Sequence, residues 1–555
     1  MAFHLSRLVT ASSVAALLSL PLAAGAATIT VTETADSFDN TGCSLREAIQ
    51  EVNTLGAYAT DCVVSGGFGS DDTLNLTATQ PYVLSLDGPN EDGNATGDLD
   101  VFTSINIVGL GSGQTTITAS GFTAGQTDRV LHFVELLGGV TPVTVNLQGL
   151  TVRDGNSTPS GSGGGIRADI PDLILNLTDV TVTENLSEED AGGIDFNSDG
   201  GRLNLTSSSV SNNTVPDDAG GIDITSNAVA VLMDSTVDGN DGTDNGGGIR
   251  NSGGLLLINS TVSRNTVVFT EDGDNGDGGG IYNSGEMALI NSTISGNLAR
   301  VNGGGIYSVD GRALGGDLDN VQALLFNVTI ADNTAEIGFG GGICNNCEIQ
   351  PQGLVLEFRV ANTLIAQNQA GIAMPDCGGQ DPFVSGGYNL IGDATDCNGF
   401  TVTGDQTNVA AGIGALQNNG GPTETHALLT GSLAIDRGND VEGCQGPVIA
   451  DLLNGTLTLQ TLTEDQRGFG FTRPVAILDP AVAICDIGAY ELQVEEPTPL
   501  PTATPVPPPG AVLLEGSGIS CSLGFGGSSA GAASLFLFGA VALVAAWRGV
   551  GLSRK

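Results

Sequence analysis

Hydrophobic and polar residues alternate along most of the chain in a pattern that repeats every 25 to 37 residues. Each repeat begins with small residues, mostly glycine, followed by isoleucine, and continues into an alternating apolar segment such as residues 255–265. This spacing is typical of a solenoid, in which each repeat forms one coil. We expect two strands and two turns per coil, with the repeat isoleucines pointing inward. These isoleucines are Ile166, Ile194, Ile222, Ile249, Ile281, Ile306 and Ile343.

The pattern predicts an all-β fold, namely a right-handed parallel β-helix over residues 73–400. A pair of short strands cannot bury its apolar face alone, so coils must stack about 4.8 Å apart. Glycine permits tight corners, and asparagine tolerates the left-handed conformation at a turn. We therefore expect a ladder of asparagine side chains at equivalent corners, as at Asn265, Asn297 and Asn333. Asn259 and Asn291 lie in N-x-S/T triplets, but we interpret them as corner residues as well.

Residues 44–53 form an amphipathic pattern, with Leu45, Ala48, Ile49 and Val52 on one helical face. We predict that this short helix covers the open edge of the first coil, within an N-terminal cap of residues 27–72. Its Arg46 and Glu47 are interpreted as structural rather than catalytic.

Both ends of the chain differ from the repeats. A basic start, an apolar run over residues 8–22 and the triplet Ala24-Gly25-Ala26 predict a signal peptide at 1–26. A Pro-rich linker is predicted at 494–515, and a C-terminal sorting tail with a hydrophobic helix at 516–555. The apolar stretch of about 18 residues is marginal for a membrane span. A separate C-terminal module is predicted at 401–493.

Charge narrows the set of partners. The 555 residues include 62 acidic and 17 basic ones, for a net charge of -45. Phosphate binding needs clustered Lys and Arg, so nucleic acid is excluded as an expected partner. Divalent cations and neutral or cationic ligands fit the acidic surface better.

Nine cysteines follow the predicted signal peptide, and export permits disulfides. Sequence neighbours suggest four bridges, although spacing alone does not prove connectivity. A redox or metal motif is the alternative for the C-x-x-C pair, and Cys521 is left over. The suggested pairs are Cys43 with Cys62, Cys344 with Cys347, Cys377 with Cys397, and Cys444 with Cys485.

Four parts of the chain resemble known bacterial surface proteins. Residues 43–49, Cys-Ser-Leu-Arg-Glu-Ala-Ile, match the motif of CSLREA-domain proteins, and the repeats resemble polymorphic outer-membrane proteins and pectate-lyase-like β-helices. Residues 418–429, 465–468 and 485–491 are similar to the "choice-of-anchor" module that precedes surface-sorting tails. The final segment resembles Gram-negative sorting tails. These resemblances imply a β-helix, export and anchoring, with a sorting protease as partner; none implies a reaction.

Candidate catalytic acids occur in the repeats, but no complete constellation does. Asp195 and Asp223 each follow a repeat isoleucine and should stack on one face, where we interpret them as solvated turn residues. Further acids are Asp71, Asp72, Asp217 and Asp218, and the candidate cations are Arg167, Arg250 and Arg264. His132 and His426 stand alone in the sequence and are interpreted as structural.

Acidic turns with glycine suggest Ca²⁺ binding, because they place oxygen ligands at alternate positions. The candidate ligands are Asp272, Asp274 and Asp277 in one turn, and Asp241 and Asp244 in another. No catalytic residue is assigned, and no cofactor is required beyond this Ca²⁺.

The sequence therefore predicts a monomeric, exported protein at the cell surface or outer membrane of a Gram-negative bacterium, retained there or released. Its expected function is adhesion, polysaccharide binding or envelope architecture, with an extracellular glycan or surface ligand. The alternative is a polysaccharide lyase or glycoside hydrolase on the same fold. An enzyme should show a walled groove with clustered Arg and Asp, and the insertion between Ile306 and Ile343 is the candidate wall.

Overall fold

The computed structural model describes residues 26–38, 42–58, 60–89, 91–135, 142–158, 161–268, 276–309, 321–347, 357–439, 444–452, 456–478 and 483–493. The predicted signal peptide, linker and sorting tail lie outside these residues. Within them, neither helix has the length and apolar character that a membrane crossing requires.

The chain folds as a parallel β-helix, as the repeat pattern predicts. The strands that begin with the repeat isoleucines pair in parallel and in register, Ile222 with Ile249 and Ile249 with Ile281. All seven repeat isoleucines are fully buried. Among the described residues this repeat sheet has ten strands: Leu99–Val101, Leu131–Phe133, Ile166–Ala168, Ile194–Phe196, Ile222–Ile224, Ile249–Asn251, Ile281–Asn283, Ile306–Ser308, Ile343–Asn345 and Cys377–Gly379.

A second, long sheet closes the coils. Its described strands are Thr28–Val31, Val64–Ser65, Thr73–Leu76, Tyr82–Val83, Ile105–Val108, Thr116–Thr118, Thr144–Arg153, Ile174–Thr183, Arg202–Thr206, Ser209–Ser211, Val229–Met233, Thr236–Asp238, Gly254–Ile258, Thr261–Ser263, Glu286–Ile290, Thr293–Ser295, Val321–Phe326, Thr329–Ala331, Glu357–Ala361, Leu364–Ala366, Phe383–Gly387, Leu390–Ile391 and Gln406–Thr407. A short corner sheet contains Asp241–Gly242, Thr266–Val267, Leu298–Ala299, Thr334–Ala335 and Gln369–Ala370.

The central coils contain four short strands, so the expectation of two per coil is wrong. The apolar segment predicted as one strand bends at Asn259, which has φ 51°, and the next corner bends at Arg264, with φ 54°. Each left-handed residue ends one strand and redirects the chain into the next. The sequence shows the alternation but not these bends, because the alternation continues across them.

The predicted asparagine ladder is confirmed and extends over seven coils. The Nδ2 atom of Asn265 donates to Oδ1 of Asn297 at 3.0 Å, and Asn297 donates to Asn333 at 2.9 Å. The last member, Asn368, donates to the Asp376 carboxylate at 2.9 Å. The ladder thus satisfies buried amides from coil to coil and ends on an acceptor.

The N-terminal helix, Leu45–Asn53, is confirmed. Ser44 caps it, and Glu47 completes a capping box. Arg46 is buried, with Nε 2.6 Å from Asp36 Oδ1 and Nη2 donating to the Gly97 carbonyl at 2.6 Å. Arg46 therefore holds the helix to the first coils and Glu47 fixes the start of the helix, so both have the structural role predicted for them.

Two predicted boundaries differ from the structure. Strand Thr28–Val31 lies in the predicted cap but pairs in parallel with Thr73–Leu76, so the first coil begins before residue 73. Strand Gln406–Thr407 pairs with Leu390–Ile391, so the last coil passes residue 400. Both segments are too short to show periodicity, and their pairing is set by the neighbouring coil.

We name residues 408–493 the covering segment, and its described residues contain two antiparallel strand pairs and a short helix. The strand pairs are Ile413–Gln417 with Thr425–Leu428, and Gln445–Pro447 with Leu459–Thr461, and the helix is Ile449–Leu452. Leu452 packs in an apolar cluster with Leu256, Leu324 and Phe326 of the long sheet. The segment therefore lies along the outward face of the long sheet.

Three of the four suggested disulfides are present: Cys43–Cys62, Cys344–Cys347 and Cys377–Cys397. The fourth is not, and Cys444 and Cys485 are buried free thiols. They do interact, since a hydrogen bond from Cys444 is the main cause that lowers the pKa of Cys485. Spacing therefore identified neighbours in space but not a covalent bond.

Candidate functional site

The repeat sheet carries a continuous row of polar side chains on its outward face. The first residue of each three-residue strand lies in the hydrophobic core, so alternation turns the middle residue outward. Parallel register then stacks these middle residues about 4.8 Å apart along the helix axis. We name this set the outward row: Asp100, His132, Arg167, Asp195, Asp223, Arg250, Tyr282 and Tyr307.

Asp195 and Asp223 occupy the middle of the row and are buried, at 4% and 1% exposure. Their predicted stacking is confirmed, since they are partners on adjacent strands. The interpretation as solvated turn residues is wrong, because they lie on strands between the arginines of the row and the acidic turns beside it. No described residue donates a hydrogen bond to Asp195, whose nearest cation, Arg167, has Nε 3.9 Å from Oδ2.

Burial determines the protonation of this pair. It raises the pKa of Asp195 well above its ordinary value, and the charge of Asp223 raises it further. Burial also raises the pKa of Asp223 to about 7, although Arg250 opposes the shift. The site therefore presents a carboxyl group that exchanges its proton near neutral pH, beside a second carboxyl that favours the protonated form.

Arg250 joins the row to the neighbouring acidic turns. Its Nη1 lies 3.2 Å from Asp223 Oδ1 and 3.6 Å from Asp190 Oδ1, and its Nε lies 3.3 Å from Asp218 Oδ2. These turns come from consecutive coils and form one wall of the row. The structure thus brings together Arg and Asp residues that are 27 to 60 positions apart in sequence.

Tyr282 and Tyr307 continue the row toward the C-terminus. Their ring centroids are 5.4 Å apart, with the planes inclined by 34°. Burial raises the pKa of Tyr282 to about 12, so its hydroxyl stays protonated and able to donate. The row therefore changes from carboxylates and guanidinium groups to two neighbouring aromatic rings, Tyr282 half-buried and Tyr307 buried.

His132 belongs to the row. The sequence context suggested that it stands alone, but the structure gives it acidic neighbours. Asp100 is its register partner on the preceding strand, and Nε2 lies 3.0 Å from Asp169 Oδ2. Burial alone would lower the pKa of His132, but Asp100 and Asp169 outweigh it and raise the pKa to about 9. Its acidic partners are distant in sequence, so only the coil register identifies the cluster.

His426 is structural, as predicted. It is buried, with Nε2 2.8 Å from Ser295 Oγ and Nδ1 2.7 Å from the Gly414 carbonyl. Burial lowers its pKa. It therefore serves to attach the covering segment to the long sheet.

The structure describes three of the five residues predicted to bind Ca²⁺. Asp272 and Asp274 lie outside the described residues, Asp277 is buried and accepts from the Asn302 amide at 2.9 Å, and Asp241 is exposed. Asp244 instead approaches Asp217 and Asp218, with one oxygen of each within 4.8 Å of the others. Ca²⁺ binding stays a prediction, with this trio as its best-placed carboxylates.

Among the described residues, the remaining candidate acids and Arg264 lie away from the row. Asp72 is buried and accepts from the Ala27 amide at 2.8 Å, so it is structural, and Asp71 is exposed. Arg264 pairs with Asp238 of the long sheet and with Glu424 of the covering segment. Residues 310–320 of the suspected insertion between Ile306 and Ile343 lie outside the described residues.

No protein-family model matches the chain, and no curated protein matches it. Three solved structures are distantly similar. A pectate lyase, Pel9A, has a TM-score of 0.44 and 12% identity over 84% of this chain and 98% of its own. The ORF18 protein of Geobacillus virus E2 has a TM-score of 0.32 and 11% identity over 64% of this chain and 61% of its own. The A-module of the Azotobacter vinelandii mannuronan C-5 epimerase AlgE6 has a TM-score of 0.28 and 16% identity over 62% of this chain and 95% of its own.

Proposed function

We propose that the protein binds an extracellular polysaccharide along the outward row of the repeat sheet. The observation that carries this proposal is the register that stacks Asp195, Asp223, Arg250 and Tyr282 on four successive strands. Carboxylate and guanidinium groups pair with hydroxyl groups in bidentate geometry, and an aromatic ring offers an apolar face to a sugar ring. A linear polymer suits such a row, because the groups recur at about 4.8 Å, close to the length of one sugar unit.

Charge indicates which polysaccharide. Three acidic side chains surround Arg250, and the chain carries a net charge of -45. A polyanionic glycan would be repelled by this field. We therefore propose a neutral or amino-sugar polymer as the ligand.

Hydrolysis of the bound glycan is a second candidate, favoured by the Asp195 and Asp223 pair. Adjacent parallel strands place equivalent residues about 4.8 Å apart, near the carboxyl separation of about 5 to 5.5 Å in retaining glycosidases. A carboxyl with a pKa of about 7 can donate a proton to a leaving oxygen at neutral pH. The clustered Arg and Asp also match the feature expected of an enzyme.

Binding is tested with arrayed neutral, amino-sugar and anionic polysaccharides. We expect retention of a neutral or amino-sugar polymer, with an affinity at least tenfold lower for Tyr282→Ala. Tyr58→Ala removes an exposed tyrosine outside the row and is the matched control, with unchanged affinity. Equal binding by all three proteins, or selective binding of anionic polymers, would contradict the proposal.

Release of reducing ends from the bound polymer distinguishes hydrolysis from binding. We expect an enzyme to lose this release in Asp195→Asn and in Asp223→Asn. No release by the wild type would leave binding as the function and exclude the second candidate.

We further propose that the protein is exported and attached at the cell surface through residues 494–555. Support comes from the sequence of both ends and from three disulfides, which persist in oxidising compartments. Intact mass of the protein from its native host tests processing. A mature chain that begins at Met1 and ends at Lys555 would contradict it.

A further inference from the structure

Three potential metal ligands converge at the N-terminal end of the outward row. Asp100 and His132 face each other across adjacent strands of the repeat sheet, and Asp92 comes from the loop before the first of these strands. His132 Nδ1 lies 3.4 Å from Asp100 Oδ1 and 3.5 Å from Asp92 Oδ1. Each of the three residues offers one potential ligand atom that lies within 4.8 Å of the other two.

The converging atoms of the two buried residues face each other at 3.4 Å without forming a hydrogen bond, and neither has another hydrogen-bond partner among the described residues. These atoms are His132 Nδ1 and Asp100 Oδ1, in side chains that are 5% exposed and fully buried. An unsatisfied buried polar atom costs about 1 to 3 kcal/mol. The arrangement therefore points to a bound group that supplies the missing interaction.

The opposite side of each buried ligand is held by a separate contact. Asp100 Oδ2 accepts from the Asn94 amide at 2.7 Å, and His132 Nε2 lies 3.0 Å from Asp169 Oδ2. A carboxylate on the far nitrogen is the usual partner of a metal-binding histidine, because it orients the ring and fixes its tautomer. The cluster is thus oriented by a second set of residues.

The distances favour a small transition-metal ion over Ca²⁺. Tetrahedral ligands at about 2.0 to 2.1 Å from Zn²⁺ are about 3.3 to 3.4 Å apart, which matches the separations of His132 Nδ1 from the two oxygens. An imidazole suits Zn²⁺ and related ions, whereas Ca²⁺ takes six to eight oxygen ligands.

We propose that Asp92, Asp100 and His132 bind one divalent transition-metal ion of the Zn²⁺ class. Three protein ligands leave a fourth tetrahedral position for water or a ligand hydroxyl, as in sites that are not purely structural. Asp92, whose side chain is 65% exposed, places this position toward solvent. The site adjoins Arg167 of the outward row but rests on its own geometry, so it stands whether or not a glycan binds there.

Calorimetric titration of the metal-stripped full-length chain tests the proposal, with Zn²⁺, Mn²⁺ and Ca²⁺ added separately. We expect one saturable Zn²⁺ site per chain, at least a hundredfold tighter than Ca²⁺ at the same site. Asp92→Asn should weaken Zn²⁺ binding at least tenfold without changing the metal-free melting temperature, because Asp92 is exposed. Asp71→Asn, an exposed aspartate elsewhere, is the matched control and should bind as the wild type does.

Co²⁺ provides a second readout that does not depend on affinity alone. We expect the intense visible absorption of tetrahedral Co²⁺ in the wild type and its loss in His132→Gln. Asp218→Asn should leave both signals intact, because it alters the other carboxylate cluster. Absence of saturable Zn²⁺ binding, or binding that is lost in Asp218→Asn but retained in Asp92→Asn, would overturn the proposal.

Discussion

The β-helix presents polar residues outward on two sheets, and the two faces differ in what satisfies them. On the long sheet, Thr261 Oγ1 donates to the Glu424 carbonyl at 2.7 Å, and Thr293 Oγ1 donates to Gln466 Oε1 at 2.5 Å. On the repeat sheet, the outward row is paired mainly with charged residues of its own and neighbouring coils.

The difference shows how one repeat produces both a packing surface and a candidate site. Neutral hydroxyl groups at equivalent positions allow the covering segment to pack on this sheet, because each hydroxyl is satisfied by one hydrogen bond to that segment. Stacked carboxyl groups repel one another and shift their pKa values, which favours a ligand or a cation instead. Earlier along the long sheet, Thr181, Ser209 and Thr236 line an open groove of about 390 Å³, so the same hydroxyl row is covered in one part and open in another.

The largest expected change in stability comes from weakening the attachment of the covering segment to the long sheet. Arg473 is buried, with Nε 3.1 Å from Glu491 Oε2 and Nη1 donating to Asn291 Oδ1 at 3.1 Å. Arg473→Met leaves Glu491 buried without its cation, so we expect the free energy of unfolding to fall by about 3 to 5 kcal/mol. Urea unfolding measures the loss, and limited proteolysis should show cleavage within residues 408–493.

The control for this variant is Arg359→Met. Arg359 forms an exposed ion pair with Glu357, so its loss should cost less than about 1 kcal/mol. Similar costs for the two variants would show that the network at Arg473 does not hold the covering segment.

A smaller effect is expected from pH at the repeat sheet. The pKa of Asp223 is raised from 3.8 to about 7 by burial, so the folded state binds this proton more tightly than the unfolded chain does. Its contribution to stability is complete below pH 3.8 and is lost as the pH rises through 7, at about 1.4 kcal/mol per pH unit.

Asp223→Asn removes this titration. Melting temperatures between pH 5 and pH 8 should therefore fall less in Asp223→Asn than in the wild type, whereas Asp71→Asn should follow the wild type. A residual slope is expected because burial also raises the pKa of Asp218 to about 6. If the melting temperature of Asp223→Asn falls with pH as steeply as that of the wild type, the group with the raised pKa is not Asp223.

The smallest expected change in unfolding free energy comes from threonine substitutions at two equivalent positions on the long sheet. Thr293→Val leaves Gln466 Oε1 without its donor and should cost about 1 to 3 kcal/mol. Thr236→Val occupies the corresponding position in the open groove, where we expect a change within about 0.5 kcal/mol. Unfolding in urea measures both, and equal costs would remove the distinction between covered and open hydroxyl groups.

Much of the fold could be predicted from local patterns. The spacing of Ile166 to Ile343 predicted the stacked coils, and Asn265, Asn297 and Asn333 predicted the ladder. The capping helix was predicted from its amphipathic spacing, since Leu45 and Ile49 share one face. These features repeat along the chain or depend on neighbours within a few residues, so the sequence carries them directly.

The candidate site depended on contacts that no local pattern records. Asp195 and Asp223 could be placed on one face by the repeat, but their pKa values also depend on charges of other coils, among them Arg250 and Asp190. His132 looked isolated because Asp100 and Asp169 are 32 and 37 residues away. Cys444 and Cys485 came together as predicted, yet as thiols, because sequence separation does not define the geometry of a bond.

By itself, then, the sequence determined the coil, its register and its inward residues, because hydrophobic burial acts on every repeat in the same way. The tertiary structure decided which outward residues are covered and which have charged neighbours. It also decided which carboxyl groups keep a proton at neutral pH. Those outcomes depend on distances across coils and on local burial, and electrostatic energies change steeply with both.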